Sequence, residues 1–116
     1  QCQKTTRLLK ERLGWSDDQI MTTFQSKFGP EDWLQPYTVE EVARQAEKGN
    51  KKIAVIAPAF SADCIETLEE INEEIKESFE HAGGEEFHYI PCLNDDDLHI
   101  KALSNVIEEN LQGWID

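Results

Sequence analysis

Ile53-Ala54-Val55-Ile56-Ala57 is a continuous apolar run of strand length, and it constrains the fold more than any other stretch of the chain. A strand without polar alternation belongs at the centre of a parallel sheet, buried on both faces. Parallel neighbours need crossover connections, and helical patterns stand on either side of this run to supply them. Residues 2–13 read as a helix with Leu8, Leu9 and Leu13 apolar and Gly14 as its stop. Residues 20–25 (IMTTFQ) mix β-branched and aromatic side chains and read as a strand. Residues 26–37 form a turn-rich loop, because Gly29-Pro30 and Pro36 exclude regular structure. Thr38 then opens a helix, with Glu41 three residues on as the partner of a capping box, and Gly49 ends it.

Residues 64–80 form the longest expected helix, with Ile65, Leu68, Ile71, Ile75 and Phe79 as its apolar stripe and Gly83-Gly84 as its stop. Residues 86–91 read as a third strand. The turn Asn94-Asp95-Asp96-Asp97 leads into a last helix with Leu98, Ala102, Leu103, Val106, Ile107 and Leu111 apolar. The expected order is αβαβαβα, which predicts one α/β domain over residues 1–116: a three-layer arrangement, with helices on both faces of a parallel sheet. Three strands are few for such a sheet, and the expectation is a piece of a larger protein.

Charge excludes some functions. The formal net charge is -13, from 24 acidic and 11 basic residues. Nucleic-acid binding needs Lys and Arg against phosphate, and so does an electrostatic hold on anionic lipid. No apolar run approaches the roughly 20 residues that cross a bilayer. Cys2, Cys64 and Cys92 are far apart, with no Cys-x-x-Cys pair, which argues against an iron–sulfur cluster or structural zinc in this segment. Free thiols suit a reducing compartment, so a cytoplasmic location is expected.

The residues able to do chemistry gather where the apolar strand gives way to helix. In parallel sheets, ligands sit at the carboxyl ends of strands. Glu66, Glu70 and Glu74 follow that point at four-residue spacing. Carboxylates in a row can relay protons or pass on a divalent cation. Two plainer readings stand beside this: Asp63 as N-cap with Glu66 as its capping partner, and the remaining glutamates as a solvated face. Like charges at i, i+4 repel, and Lys76 is the single basic residue between residues 64 and 80. Gln25-Ser26 ends the first expected strand, beside Trp33 and Tyr37 in the loop; a polar pair next to aromatics suits a flat apolar ligand. The Asn94–Asp97 turn lacks the Gly and closing Glu of a calcium loop and reads as an acidic helix start.

The block Gln25-Ser26-Lys27-Phe28-Gly29-Pro30-Glu31-Asp32-Trp33-Leu34-Gln35-Pro36-Tyr37-Thr38 resembles the QSxxGPxxWLxPxT block of the ferrochelatase family. Pro58-Ala59-Phe60-Ser61-Ala62-Asp63-Cys64-Ile65-Glu66-Thr67-Leu68-Glu69-Glu70 is similar to that family's strand-to-helix acidic motif, and Gly83-Gly84 with Phe87–Asn94 to its next segment. The resemblance implies the C-terminal lobe of a two-lobed enzyme that inserts ferrous iron into a porphyrin, protoporphyrin IX, in the last step of haem biosynthesis. It implies a lyase whose substrates are iron and porphyrin. Glu66, Glu70 and Glu74 would be catalytic, Glu66 would also meet the metal, and Gln25, Ser26 and Trp33 would contact the porphyrin. The family carries a π-type turn in this acidic helix, which lines the carboxylates along the cleft; such turns mark functional sites.

Two departures matter. The family's upstream Ser-x-His-x-x-Pro motif is absent from these residues, and Cys64 stands where some members have a second His. The N-terminal lobe is therefore an implied partner, any peripheral membrane contact falls to that lobe, and these residues alone are expected to be inactive. A non-catalytic binding module and a cobalt or nickel chelatase are the alternatives.

Overall fold

A computed structural model describes residues 1–115. It contains α1 (Cys2–Leu13), α2 (Thr38–Glu47), β1 (Lys52–Ile56), a π-helix (Glu66–Ile75) that continues directly as α3 (Lys76–His81), β2 (Glu86–Ile90) and α4 (Asp97–Asn110). The strands β1 and β2 pair in parallel, Lys52 opposite Glu86 through Ile56 opposite Ile90. The π-helix and α3 form the crossover between them, so the centre of the chain is one βαβ unit. An α/β arrangement with a parallel sheet flanked by helices is what the sequence leads one to expect. Two details differ.

Residues 20–25 are extended but are not a laddered strand. Phe24 makes an isolated bridge with Tyr37: its amide donates to the Pro36 carbonyl at 2.9 Å and its carbonyl accepts from the Thr38 amide at 2.8 Å. β-Branched composition shows that a segment tolerates extended backbone; only a neighbouring strand makes it part of a sheet. The sheet also has one covered face rather than two. Ile53, Val55, Ala57, Phe87 and Tyr89 pack on the core, while Ala54, Ile56, His88 and Ile90 are exposed. Among the described residues the sheet has two strands, and α1 and α4 have no buried residue. The apolar side of α4 is open, with Leu98 78% exposed.

The core consists of Val42 and Ala46 from α2, Ile71 and Ile75 from the π-helix, and Phe79 from α3. Thr67, Ile71, Ile75 and Phe79 are all buried. Their period of four is the reason the helix is wide. At 3.6 residues per turn, each step of four drifts by roughly 40°, so three steps would carry Phe79 well off the stripe. Bonding i→i+5 widens the turn and holds all four on one line; the Lys76 amide reaches the Ile71 carbonyl in this way. The same widening corrects the expected stripe. Ile65 and Leu68 are 62% and 50% exposed, and Thr67 takes their place inside.

The capping box expected at α2 does not form. The Thr38 hydroxyl bonds Thr23 Oγ1 at 2.9 Å. Glu41 is buried and accepts from the Arg44 guanidinium and from Gln45 Nε2. A tertiary partner has displaced the local one. Asp96 does cap α4, accepting from Leu98 N at 2.9 Å. His99 fastens that helix to the loop after β1 through Ser61 Oγ at 2.9 Å and to the loop after β2 through the Asn94 carbonyl at 2.8 Å, a structural role.

Candidate functional site

The site lies at the carboxyl end of β1, and Asp63 organises it. Asp63 Oδ1 accepts from Tyr89 Oη at 2.5 Å, Thr67 Oγ1 at 2.9 Å and Cys92 N at 3.4 Å; Oδ2 accepts from Asn94 Nδ2 at 2.8 Å. The Asp63 amide in turn donates to Asn94 Oδ1 at 2.8 Å. The Tyr89 hydroxyl, and after it the Asn94 amide, hold the Asp63 carboxyl far below the usual carboxylate range. Burial, then the bond to Asp63, pushes the Tyr89 hydroxyl up. Asp63 is thus committed to β2 and the loop beyond it, and the Asp63–Glu66 capping pair does not form. The start of the helix is instead closed by Thr67, whose hydroxyl accepts from the Cys64 amide at 3.0 Å.

This leaves Glu66 free for other work. Its carboxylate accepts from the Cys64 thiol, Sγ to Oε2 3.0 Å, and that bond lowers its pKa. Its main-chain carbonyl accepts from Gln25 Nε2 at 2.8 Å. One turn on, Glu70 takes two bonds from Ser26: the amide to Oε1 at 2.7 Å and the hydroxyl to Oε2 at 2.5 Å. Ser26 has φ 60, a left-handed conformation that costs a non-glycine residue about 1 kcal/mol or more. That conformation points both its donors at one carboxylate, and two charge-assisted bonds offset the cost. Trp33 Nε1 donates to the Gln25 carbonyl at 3.1 Å, which folds the aromatic loop back onto the same edge.

Five of the six residues singled out in the sequence therefore meet on one surface: Glu66 and Glu70 from the helix, Gln25, Ser26 and Trp33 from the loop. Glu74 continues the row on the exposed face of the π-helix and makes no bond to the loop among the described residues. A cavity of about 390 Å³ opens beside the contact, lined by Gln25, Ser26, Lys27, Tyr37 and Glu70 among others. The Lys27 ammonium lies 5.6 Å from the Tyr37 ring centroid, within cation–π range. Among the described residues no group of three His, Cys, Asp or Glu side chains stands ready to enclose a metal ion. The surface offers oxygen ligands along one wall, not a cage. Such a wall can pass on a hard or borderline cation, or accept protons from a ligand lying against it.

Two participants and one contact were not legible in the sequence. Asp63 was assigned to a cap because its true partners, Tyr89 and Asn94, are remote in the chain. Asn94 drew notice only as part of an acidic turn, although its positive φ of 49 marks a residue held by its surroundings. The contact of the Cys64 thiol with Glu66 has no signature in spacing.

Comparison with known proteins identifies the family. A family model described as Ferrochelatase matches residues 1–111. A protein named ferrochelatase from Rhodobacter capsulatus is 75% identical over all 116 residues, which cover 33% of that protein. Proteins of the same name from Marinobacter nauticus and Allorhizobium ampelinum are 60% and 58% identical, over 98% and 99% of this chain and 31% and 33% of their own lengths. The chain spans about a third of the length of the curated relatives it matches. With the acidic π-helix joined to the Gln25–Thr38 block, and a family match over nearly every residue, the chain belongs to the ferrochelatase family.

Proposed function

We propose that the whole protein, of which these residues form about a third, is a lyase of haem biosynthesis that inserts ferrous iron into protoporphyrin IX. The observation that carries this reading is the pair of hydrogen bonds that Ser26 donates to Glu70, beside the hydrogen bond from Gln25 to the Glu66 carbonyl. These bonds tie a loop suited to a flat ligand to the carboxylates that would act on it.

Insertion requires the two pyrrole protons to leave and the hydrated cation to shed water. Asp63 is committed to Tyr89 and Asn94, so Glu66 is the first carboxylate after β1 left for chemistry, and it serves as acceptor for cation and proton. Glu70 and Glu74 extend from it as the path by which either travels. Gln25, Ser26 and Trp33 hold the edge of the macrocycle. The remainder of the protein supplies the opposite wall and further metal ligands, and residues 1–116 alone do not complete the reaction. No described helix is long and apolar enough to cross a membrane. The three free cysteines support a cytoplasmic location.

In the whole protein, Ser26→Ala removes one of the two bonds that fix Glu70. A bond to a charged group is worth on the order of 1.5–3 kcal/mol before solvent exposure discounts it, so kcat/KM for iron insertion falls by roughly 3–10-fold. Porphyrin fluorescence quenching on metallation measures it, and an unchanged kcat/KM contradicts the reading.

A further inference from the structure

The geometry points to Cys64 as a positioning residue for Glu66: its thiol orients the carboxylate toward the open face of the π-helix so that an incoming divalent cation meets it correctly aimed. This inference rests on the function proposed above and adds a residue to that site.

The main chain of Cys64 is fixed from both sides. Its amide donates to Thr67 Oγ1 at 3.0 Å, and its carbonyl accepts from Thr67 N at 3.1 Å and Leu68 N at 2.8 Å. Thr67 is fully buried and also bonded to Asp63, so the position of Cys64 is set by the core of the βαβ unit. From that anchored backbone the thiol reaches Glu66 Oε2 at 3.0 Å. Both side chains are half-buried. Among the described residues the thiol is the side-chain donor to the Glu66 carboxylate; the neighbouring Gln25 amide is engaged by the Glu66 main-chain carbonyl instead. Without the thiol, the carboxylate keeps only the bond from its own main-chain amide and loses its side-chain restraint, while the backbone beneath it stays in place.

The weakness of the bond fits the task. A thiol is a poor hydrogen-bond donor. It biases the rotamer of Glu66, yet yields the oxygen to a cation at little cost, whereas an ammonium or guanidinium in the same place would compete with the metal. Preorganisation of this kind shows in the apparent affinity for the metal and leaves porphyrin binding unchanged.

The test uses the whole protein under anaerobic conditions, with ferrous iron and porphyrin varied separately. Cys64→Ala raises KM for iron by about five-fold, with KM for porphyrin unchanged. Cys64→Ser, which keeps a donor, returns KM for iron to within about two-fold of the parent. If Cys64→Ala does not fold, Cys64→Val replaces the thiol by an apolar group of similar volume and carries the same expectation. A thiol that only packs would change melting temperature with no selective change in KM for iron, and serine would not rescue it; either result overturns the inference. The parallel variant Glu66→Gln separates the levels. If Glu66→Gln is inactive while Cys64→Ala has the parent's kinetics, the positioning role is refuted alone. If Glu66→Gln has full activity, the reading of the site falls and the positioning role falls with it.

Discussion

Glu66→Gln in the whole protein lowers the rate of iron insertion by roughly 10²-fold or more, and leaves the fold intact. The size follows from the chemistry lost: an amide neither accepts a pyrrole proton nor offers an anionic oxygen to ferrous iron. The selectivity follows from the structure. Gln25 Nε2 bonds the main-chain carbonyl of residue 66, not its side chain, so the tie between loop and helix survives. The Cys64 thiol can donate to an amide oxygen as it does to the carboxylate. The Asp63 network that seats the helix does not involve the Glu66 side chain. Melting temperature therefore moves by less than about 2 °C, as for a partly exposed substitution away from the core. Glu69→Gln is the control: Glu69 is exposed and three residues further along the same helix, and its loss leaves activity near that of the parent. Steady-state insertion rates with matched melting curves measure both.

Gly84→Ala is the substitution with the largest expected effect on stability. A Cβ at Gly84 would overlap three carbons of the Phe79 ring. The ring is fully buried and packs at 6.0 Å between centroids on Phe87, so it cannot step aside. Overpacking of this kind costs typically 1–3 kcal/mol, and this overlap places the cost at or above the upper end. Gly83→Ala is instructive beside it. Gly83 has φ +94, and a Cβ there meets only the Lys51 ammonium at 3.1 Å. Its cost is conformational and the flexible lysine yields, so about 1–2 kcal/mol is expected. Denaturant or thermal unfolding ranks the two. A smaller ring partner gives the internal check: Phe79→Leu costs less on the Gly84→Ala background than alone, because it removes the clash.

The two substitutions also mark how far the sequence could be read. Composition and spacing marked the Gln25–Trp33 block and Glu66 with Glu70 as candidates but left a cap and a solvated face as equal readings; the resemblance to ferrochelatase is what joined them into one site. The period of four in Thr67, Ile71, Ile75 and Phe79 was also present, and it is the physical mark of a widened helix. Reading it at 3.6 residues per turn instead selected Ile65 and Leu68, which face outward. What could not be read were choices made between partners. Thr38 prefers Thr23 to its own helix, and Asp63 prefers Tyr89 and Asn94 to Glu66. In each case a local cap with a good pattern lost to a tertiary bond that spacing does not encode. The 20–25 segment failed for the complementary reason: its composition favours extended backbone, but a ladder requires a strand beside it.

The most direct test of the central claim is a crystal structure of the whole protein with a free-base porphyrin bound. The account predicts the macrocycle against Trp33 and the Gln25-Ser26 edge, with the carboxylates of Glu66 and Glu70 directed toward its nitrogens. A macrocycle seated away from the π-helix, with Glu66 turned to solvent, would contradict it.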